Sequence, residues 1–187
     1  MGGQVEHLRA GIALPRLAAC AGRTAVQLAR RRIRFPRGHV GQRVRFADGS
    51  TAWVYRETVM ERPPSLDPCV LIVQFRLRRV RGVGHQLFRA ESWLNTPLFA
   101  GFPGFVSKLW FAADDFGVYR GLYDWDGPHH ADAYVRALWW PLALVSELDS
   151  IQYHVLPGLR RDDVIADPTC IAGPAAADQW WRPAESW

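Results

Sequence analysis

Lysine is all but absent from this chain. Of its 23 basic residues only Lys108 is a lysine, and a GC-rich coding sequence would explain the surplus of arginine without any functional demand. Cysteine is scarce as well. Cys20, Cys69 and Cys170 are odd in number, far apart and match no metal-ligand spacing, which argues against a disulfide framework and a zinc module and fits a reducing compartment. No apolar run approaches the ~20 residues that a membrane-spanning helix needs. HExxH, CxxC, GxSxG and phosphate-loop patterns are missing, so metalloprotease, zinc-module, serine-hydrolase and P-loop chemistry lack support. No metal and no cofactor is expected. Leu17-Ala18-Ala19-Cys20 resembles a lipoprotein cleavage box, but Pro15 and Arg16 interrupt the apolar stretch that a signal peptide requires. A cytoplasmic location is expected.

What the chain does have is aromatic mass and a lopsided charge. Nine tryptophans stand among 187 residues, 49% of them hydrophobic, enough to build a real core. Residues 1–62 hold 12 arginines against 4 acids, for +8, and the remainder carries −3, which sums to the net +5. A basic arm is therefore joined to a mildly acidic body. Pro63-Pro64-Ser65-Leu66-Asp67-Pro68 marks the joint. The expected divisions are an arm over 1–67, a main domain over 68–160 and a tail over 161–187.

In the arm, a short helix is expected from Thr24, as its cap, to a stop before Pro36. A hairpin follows, with Val44–Phe46 and Ala52–Tyr55 flanking Asp48-Gly49. The main domain reads as a strand over Val70–Arg78, a helix over His85–Phe99 and a hairpin over Phe105–Trp125. A second helix opens at Pro128 and runs to about Glu147, and a last strand covers Ile151–Leu156. That order is β-α-β-β-α-β, the ferredoxin-like unit of an α+β protein. Two helices cover one sheet face. The other calls for a second subunit, hence an expected homodimer, or for the N-terminal arm. The tail, rich in Ala, Pro and Asp with Trp180, Trp181 and Trp187, is either disordered or docked by its indoles.

The hairpin carries the chemistry. If its arms pair about Asp114-Asp115-Phe116-Gly117, Trp110 lies opposite Gly121 and Lys108 opposite Tyr123, with Val106 and Trp125 on the same face. Gly121 leaves space beside the Trp110 indole. An ammonium, a phenol and two indoles around a gap suggest a pocket wall.

The run Pro103-Gly104-Phe105, Lys108, Trp110, Gly121, Tyr123, Trp125, Ala131, Ala133 and Tyr134 resembles small bacterial monooxygenase-like proteins of the dimeric α/β-barrel superfamily. The resemblance spans about residues 70–160. It implies two ferredoxin-like subunits packed sheet against sheet, and a cofactor-independent oxygenase acting on an aromatic or polyketide-like small molecule. Haem-degrading relatives use an Asn on the first strand, where this chain has Gln74, so haem degradation is not carried over.

Under that reading Lys108 and Tyr123 supply polar stabilisation, and His129 or His130 supplies a base. Trp110 and Trp125 stack on substrate, and Trp93 and Arg120 complete the expected contacts. The plainer alternatives are packing for Trp110 and Trp125, an internal ion pair for Arg120 with Asp124 on its side, and an exposed helix start for the two histidines. At the level of the whole chain the rivals are a non-catalytic ligand-binding or structural dimer, and a nucleic-acid or anionic-membrane partner using Arg30, Arg31 and Arg32.

Overall fold

The computed structural model describes residues 2–4, 9–78, 84 and 92–187. Its strands are β1 Gly2–Gln4, β2 Ile33–Arg34, β3 Arg43–Phe46, β4 Thr51–Met60, β5 Pro68–Arg76, β6 Phe105–Phe111, β7 Val118–Asp126, β8 Gln152–Pro157 and β9 Pro183–Ser186. Among the described residues three α-helices accompany them: α1 Ala10–Ala29, α2 Pro128–Val145 and α3 Arg161–Ala166.

All nine strands join one curled antiparallel sheet in the order β1-β8-β5-β7-β6-β4-β3-β9, with β2 pairing β4. This overturns the expected ferredoxin-like β-α-β-β-α-β domain with an appended helix and hairpin. The basic segment is part of the sheet: β4 runs ten residues and pairs along β6 through Val59↔Ser107, Thr58↔Lys108, Glu57↔Leu109 and Arg56↔Trp110. The reason is legible in β4 itself. No turn residue stands between Val54 and Met60, so the strand continues past Tyr55, where sequence patterning stopped it, through a bulge between Val54 and Arg56.

The N-terminal helix is also longer and earlier than expected. It covers Ala10–Ala29 and tolerates Pro15, whose missing N–H would have bonded the solvent-exposed carbonyl turn at Gly11. Thr24 does not cap it; buried in mid-helix, its Oγ1 donates to the Cys20 carbonyl at 3.0 Å. Ala13, Leu17, Cys20 and Thr24 form the one stripe that docks. Docking is close: a Cβ on Gly101 would lie 2.1 Å from the Cys20 carbonyl oxygen, so only glycine fits there. The expected helix over His85–Phe99 lies mostly outside the described residues; Ser92–Leu98 is a 3₁₀ helix.

The central hairpin matches its expected register, with Lys108↔Tyr123 and Trp110↔Gly121. Asp114 closes the turn by accepting from the Phe116 and Val118 amides, and Gly117 takes φ 76°. One departure is a bulge between Phe105 and Ser107, which pairs Phe105 rather than Val106 with Trp125.

Each sheet face has its own core. On one, Cys69, Leu71, Val73, Trp110, Tyr123 and Trp125 pack against α1, α2 and the Phe99–Phe102 turn. On the other, Val70, Ile72, Leu109, Phe111 and Leu122 meet Val44, Phe46 and Val54 from the curled end of the sheet. Val164, Ile165 and Ile171 from the tail complete that second core. The face whose exposure argued for a second subunit is thus covered by the chain's own residues. The tail is ordered: Trp181 lies flat on His154, centroids 3.7 Å apart at 3°, and β9 closes the edge of β3.

Candidate functional site

The helix-covered face encloses a cavity of about 370 Å³ between β6, β7 and the second half of α2. Its floor is Lys108, Trp110, Gly121 and Tyr123; its roof is Tyr134, Leu138, Pro141 and Leu142; Phe99, Tyr55 and Phe75 close the sides. These residues meet because Lys108 and Trp110, two apart on β6, share a face with their β7 partners. Tyr134, Leu138 and Leu142 recur every fourth residue along α2 and form its inward stripe.

Lys108 is 6% exposed. Its Nζ lies 3.1 Å from the centroid of the Trp110 ring, 4.6 Å from that of Tyr123 and 4.8 Å from that of Phe99. Among the described residues no carboxylate pairs with it. Burial, and then the neighbouring Arg56 charge, pull its ammonium well below the usual lysine range. A lowered pKa raises the share of neutral amine, and a neutral amine is both a base and a nucleophile.

Arg56, opposite Trp110 on β4, holds its guanidinium carbon 4.2 Å from the same indole and donates to Thr96 Oγ1 at 2.6 Å. Burial lowers its pKa to about 10, which still leaves it charged. The Trp110 Nε1 donates to Thr58 Oγ1 at 3.2 Å, which fixes the ring.

Above Lys108 the Tyr123 and Tyr134 hydroxyls lie 3.2 Å apart. Burial holds both phenols above their ordinary pKa, so both keep their protons. One donates to the other, and the acceptor retains a proton for an oxygen atom in the cavity. The space expected above Gly121 is taken by this ring: a Cβ there would sit 2.7 Å from Tyr123 Cε2.

The remaining expected site residues fall elsewhere. Trp125 is fully buried between Phe105 and Tyr134 and does not line the cavity. Arg120 borders it but turns its guanidinium to the opposite face, over Phe46, where it pairs with Asp114 at 2.7 Å and Asp48 at 3.0 Å. Its partners are turn aspartates rather than Asp124, which accepts from Ser107 Oγ and the Arg161 amide.

His129 and His130 start α2, away from the cavity, with ring centroids 3.9 Å apart. Burial and its neighbour's charge lower the pKa of His130. The Trp93 side chain lies outside the described residues. Sequence reasoning missed Arg56, Thr58 and Phe99 as site residues. The lack of a turn residue after Tyr55 pointed to a strand holding the first two, but the bulge before Arg56 hid their face; nothing local pointed to Phe99.

Comparisons with protein-family models, with curated proteins and with solved structures find no match to this chain. No cluster of three or more His, Cys, Asp or Glu suited to a metal ion occurs among the described residues, and none of their helices is long and apolar enough to cross a membrane.

Proposed function

We propose that the chain is a small-molecule enzyme of the cofactor-independent oxygenase type, acting on an aromatic or polyketide-like compound in the Lys108 cavity. One observation carries this reading: a solitary buried amine, unpaired with any described carboxylate, faces a cavity walled by aromatic rings. Lys108 Nζ takes a proton from an acidic CH₂ of a phenolic or enolic substrate. The spare phenolic proton of the Tyr123–Tyr134 pair hydrogen-bonds the resulting oxyanion. The substrate anion is electron-rich enough to reduce O₂ itself. Overall R₂CH₂ and O₂ give R₂C=O and H₂O, with every electron supplied by substrate. Trp110, Phe99 and Tyr55 wall the ring system in beside the amine.

The test is oxygen uptake by the purified protein with a panel of anthrone-like and polyphenolic substrates. Substrate-dependent uptake that Lys108→Met lowers at least about a hundredfold, the low end for losing a general base, supports the reading. Uptake that Lys108→Met leaves unchanged overturns it.

A second reading is favoured by a different surface, the outer face of α1. Between His7 and Ala47 the chain has ten arginines and no acid. Ile12, Leu14, Val26 and Leu28 of α1 are exposed, and Arg16, Arg30, Arg31 and Arg32 are exposed with them. Exposed apolar side chains on both flanks of the helix, interspersed with arginine and with no acid among them, suit an anionic lipid surface. Sedimentation with phosphatidylserine vesicles that fails when Arg30–Arg32 become Ala, or in high salt, supports it; equal binding to neutral vesicles overturns it.

A further inference from the structure

We propose that Lys108 forms an imine with its ligand, and that the ligand is therefore an aromatic aldehyde or aryl ketone of one or two rings. This rests on the cavity reading above and deepens it from a base to a nucleophile.

The geometry meets each requirement of imine chemistry. The attacking atom must be an amine that is unpaired and facing open space. Lys108 Nζ lies among ring faces, with Trp110, Tyr123 and Phe99 centroids at 3.1, 4.6 and 4.8 Å, and the Arg56 guanidinium shares the Trp110 ring with it. Burial and the neighbouring Arg56 charge favour its neutral form, the form that carries the lone pair.

The carbonyl oxygen must then leave as water, which needs a proton donor nearby. Tyr123 and Tyr134 line the same cavity, their hydroxyls 3.2 Å apart, and the accepting member of that pair keeps a proton to give. The product must be shielded from hydrolysis, and Leu138, Leu142 and Phe75 supply apolar walls. Size sets the ring count. About 370 Å³ lies near the small end of the roughly 300–1,000 Å³ range of small-molecule sites.

The step balances without an oxidant. The Nζ lone pair adds to the carbonyl carbon and the C–O bond breaks. Two amine hydrogens leave with the oxygen as water, relayed through the phenol pair, and a C=N bond forms.

Lys108 is the only lysine in the sequence, so the α-amine is its sole competitor for an aldehyde probe. The full chain is incubated with 1-naphthaldehyde near pH 6, reduced with cyanoborohydride and read by intact mass and peptide mapping. Retention of the unreduced probe is read in parallel by native mass spectrometry.

The expected result is one saturable adduct on Lys108, roughly tenfold or more ahead of the α-amine, which is mostly protonated at that pH. Lys108→Arg removes it. Leu138→Trp, which fills the cavity and leaves the amine in place, removes Lys108 labelling while the α-amine still reacts, so a folding failure of the first variant does not spoil the test. Labelling confined to the α-amine with the probe retained overturns the imine and leaves the cavity reading standing. A probe neither retained nor attached overturns both.

Discussion

Tyr123 is held over Gly121 by a contact that any side chain at 121 would break. Gly121→Ala places a methyl 2.7 Å from the Tyr123 ring, which must swing away from Tyr134. Overpacking of this kind costs about 1–3 kcal/mol, so urea denaturation should show that loss. The same variant should weaken retention of aromatic probes, because the phenol pair is disrupted along with the cavity floor. His154 offers a second residue-scale prediction. Burial under Trp181 lowers its pKa to about 4 from the ordinary 6.5. Between those values the unfolded chain binds a proton that the folded chain refuses, so stability must fall as pH drops from 6.5 towards 4. Thermal midpoints measured across that window should decline less steeply for His154→Phe than for the parent. At this scale much was readable in advance. The alternation of β6 and β7 put Lys108, Trp110 and Tyr123 on one face, because a hairpin with Asp-Asp-Phe-Gly at its turn leaves one register. For Trp125 the sequence left stacking and packing both open, and the bulge that brings Phe105 against it decides for packing.

The short helix α3 is tied to the sheet by one buried pair. Arg161 Nη2 meets Glu57 Oε1 at 2.8 Å with both side chains almost fully buried, and His39 Nδ1 holds the other Glu57 oxygen at 3.0 Å. Removing the arginine alone leaves a buried carboxylate short of its partner, a loss of about 3–5 kcal/mol. Replacing both, Arg161→Met with Glu57→Leu, should recover most of it, and a double-mutant cycle by denaturation measures the coupling. Element type was largely legible: α2 begins at Pro128 and shows its Tyr134-Leu138-Leu142 stripe in sequence. Element extent was not. α1 lacks a polar outer face, so its period is blurred by alanine and exposed Ile12, Leu14 and Val26, and only docking on the Phe99–Phe102 turn picks out the Ala13-Leu17-Cys20-Thr24 stripe. The tail hid its order for the same reason. Val164, Ile165 and Ile171 are too sparse to signal an element, yet they fill a groove built in part by Val44, Phe46 and Val54, more than a hundred positions away.

The whole sheet is two-sided, and each half of the core depends on a different end of the sequence. A chain stopped before Arg161 loses α3, β9 and the Trp181 cover. It should expose Val70, Ile72, Leu109 and Leu122, bind 1-anilinonaphthalene-8-sulfonate strongly and aggregate. A truncated chain that stays monomeric and dye-silent would show that the second core is dispensable. The topology was the least legible property of this protein. Strand order records which distant strands find each other, and β4 pairing with β6 rather than with β5, its neighbour in sequence, leaves no local mark.

The closing of β3 by β9 has a consequence for synthesis. β3 is complete once residue 46 has left the ribosome, but its outer partner is not made until residue 183. Until those later residues are made, that strand carries a row of unpaired amides and carbonyls. It is blunted only by Arg43 and Arg45, charges of the kind that keep open edges from recruiting other strands.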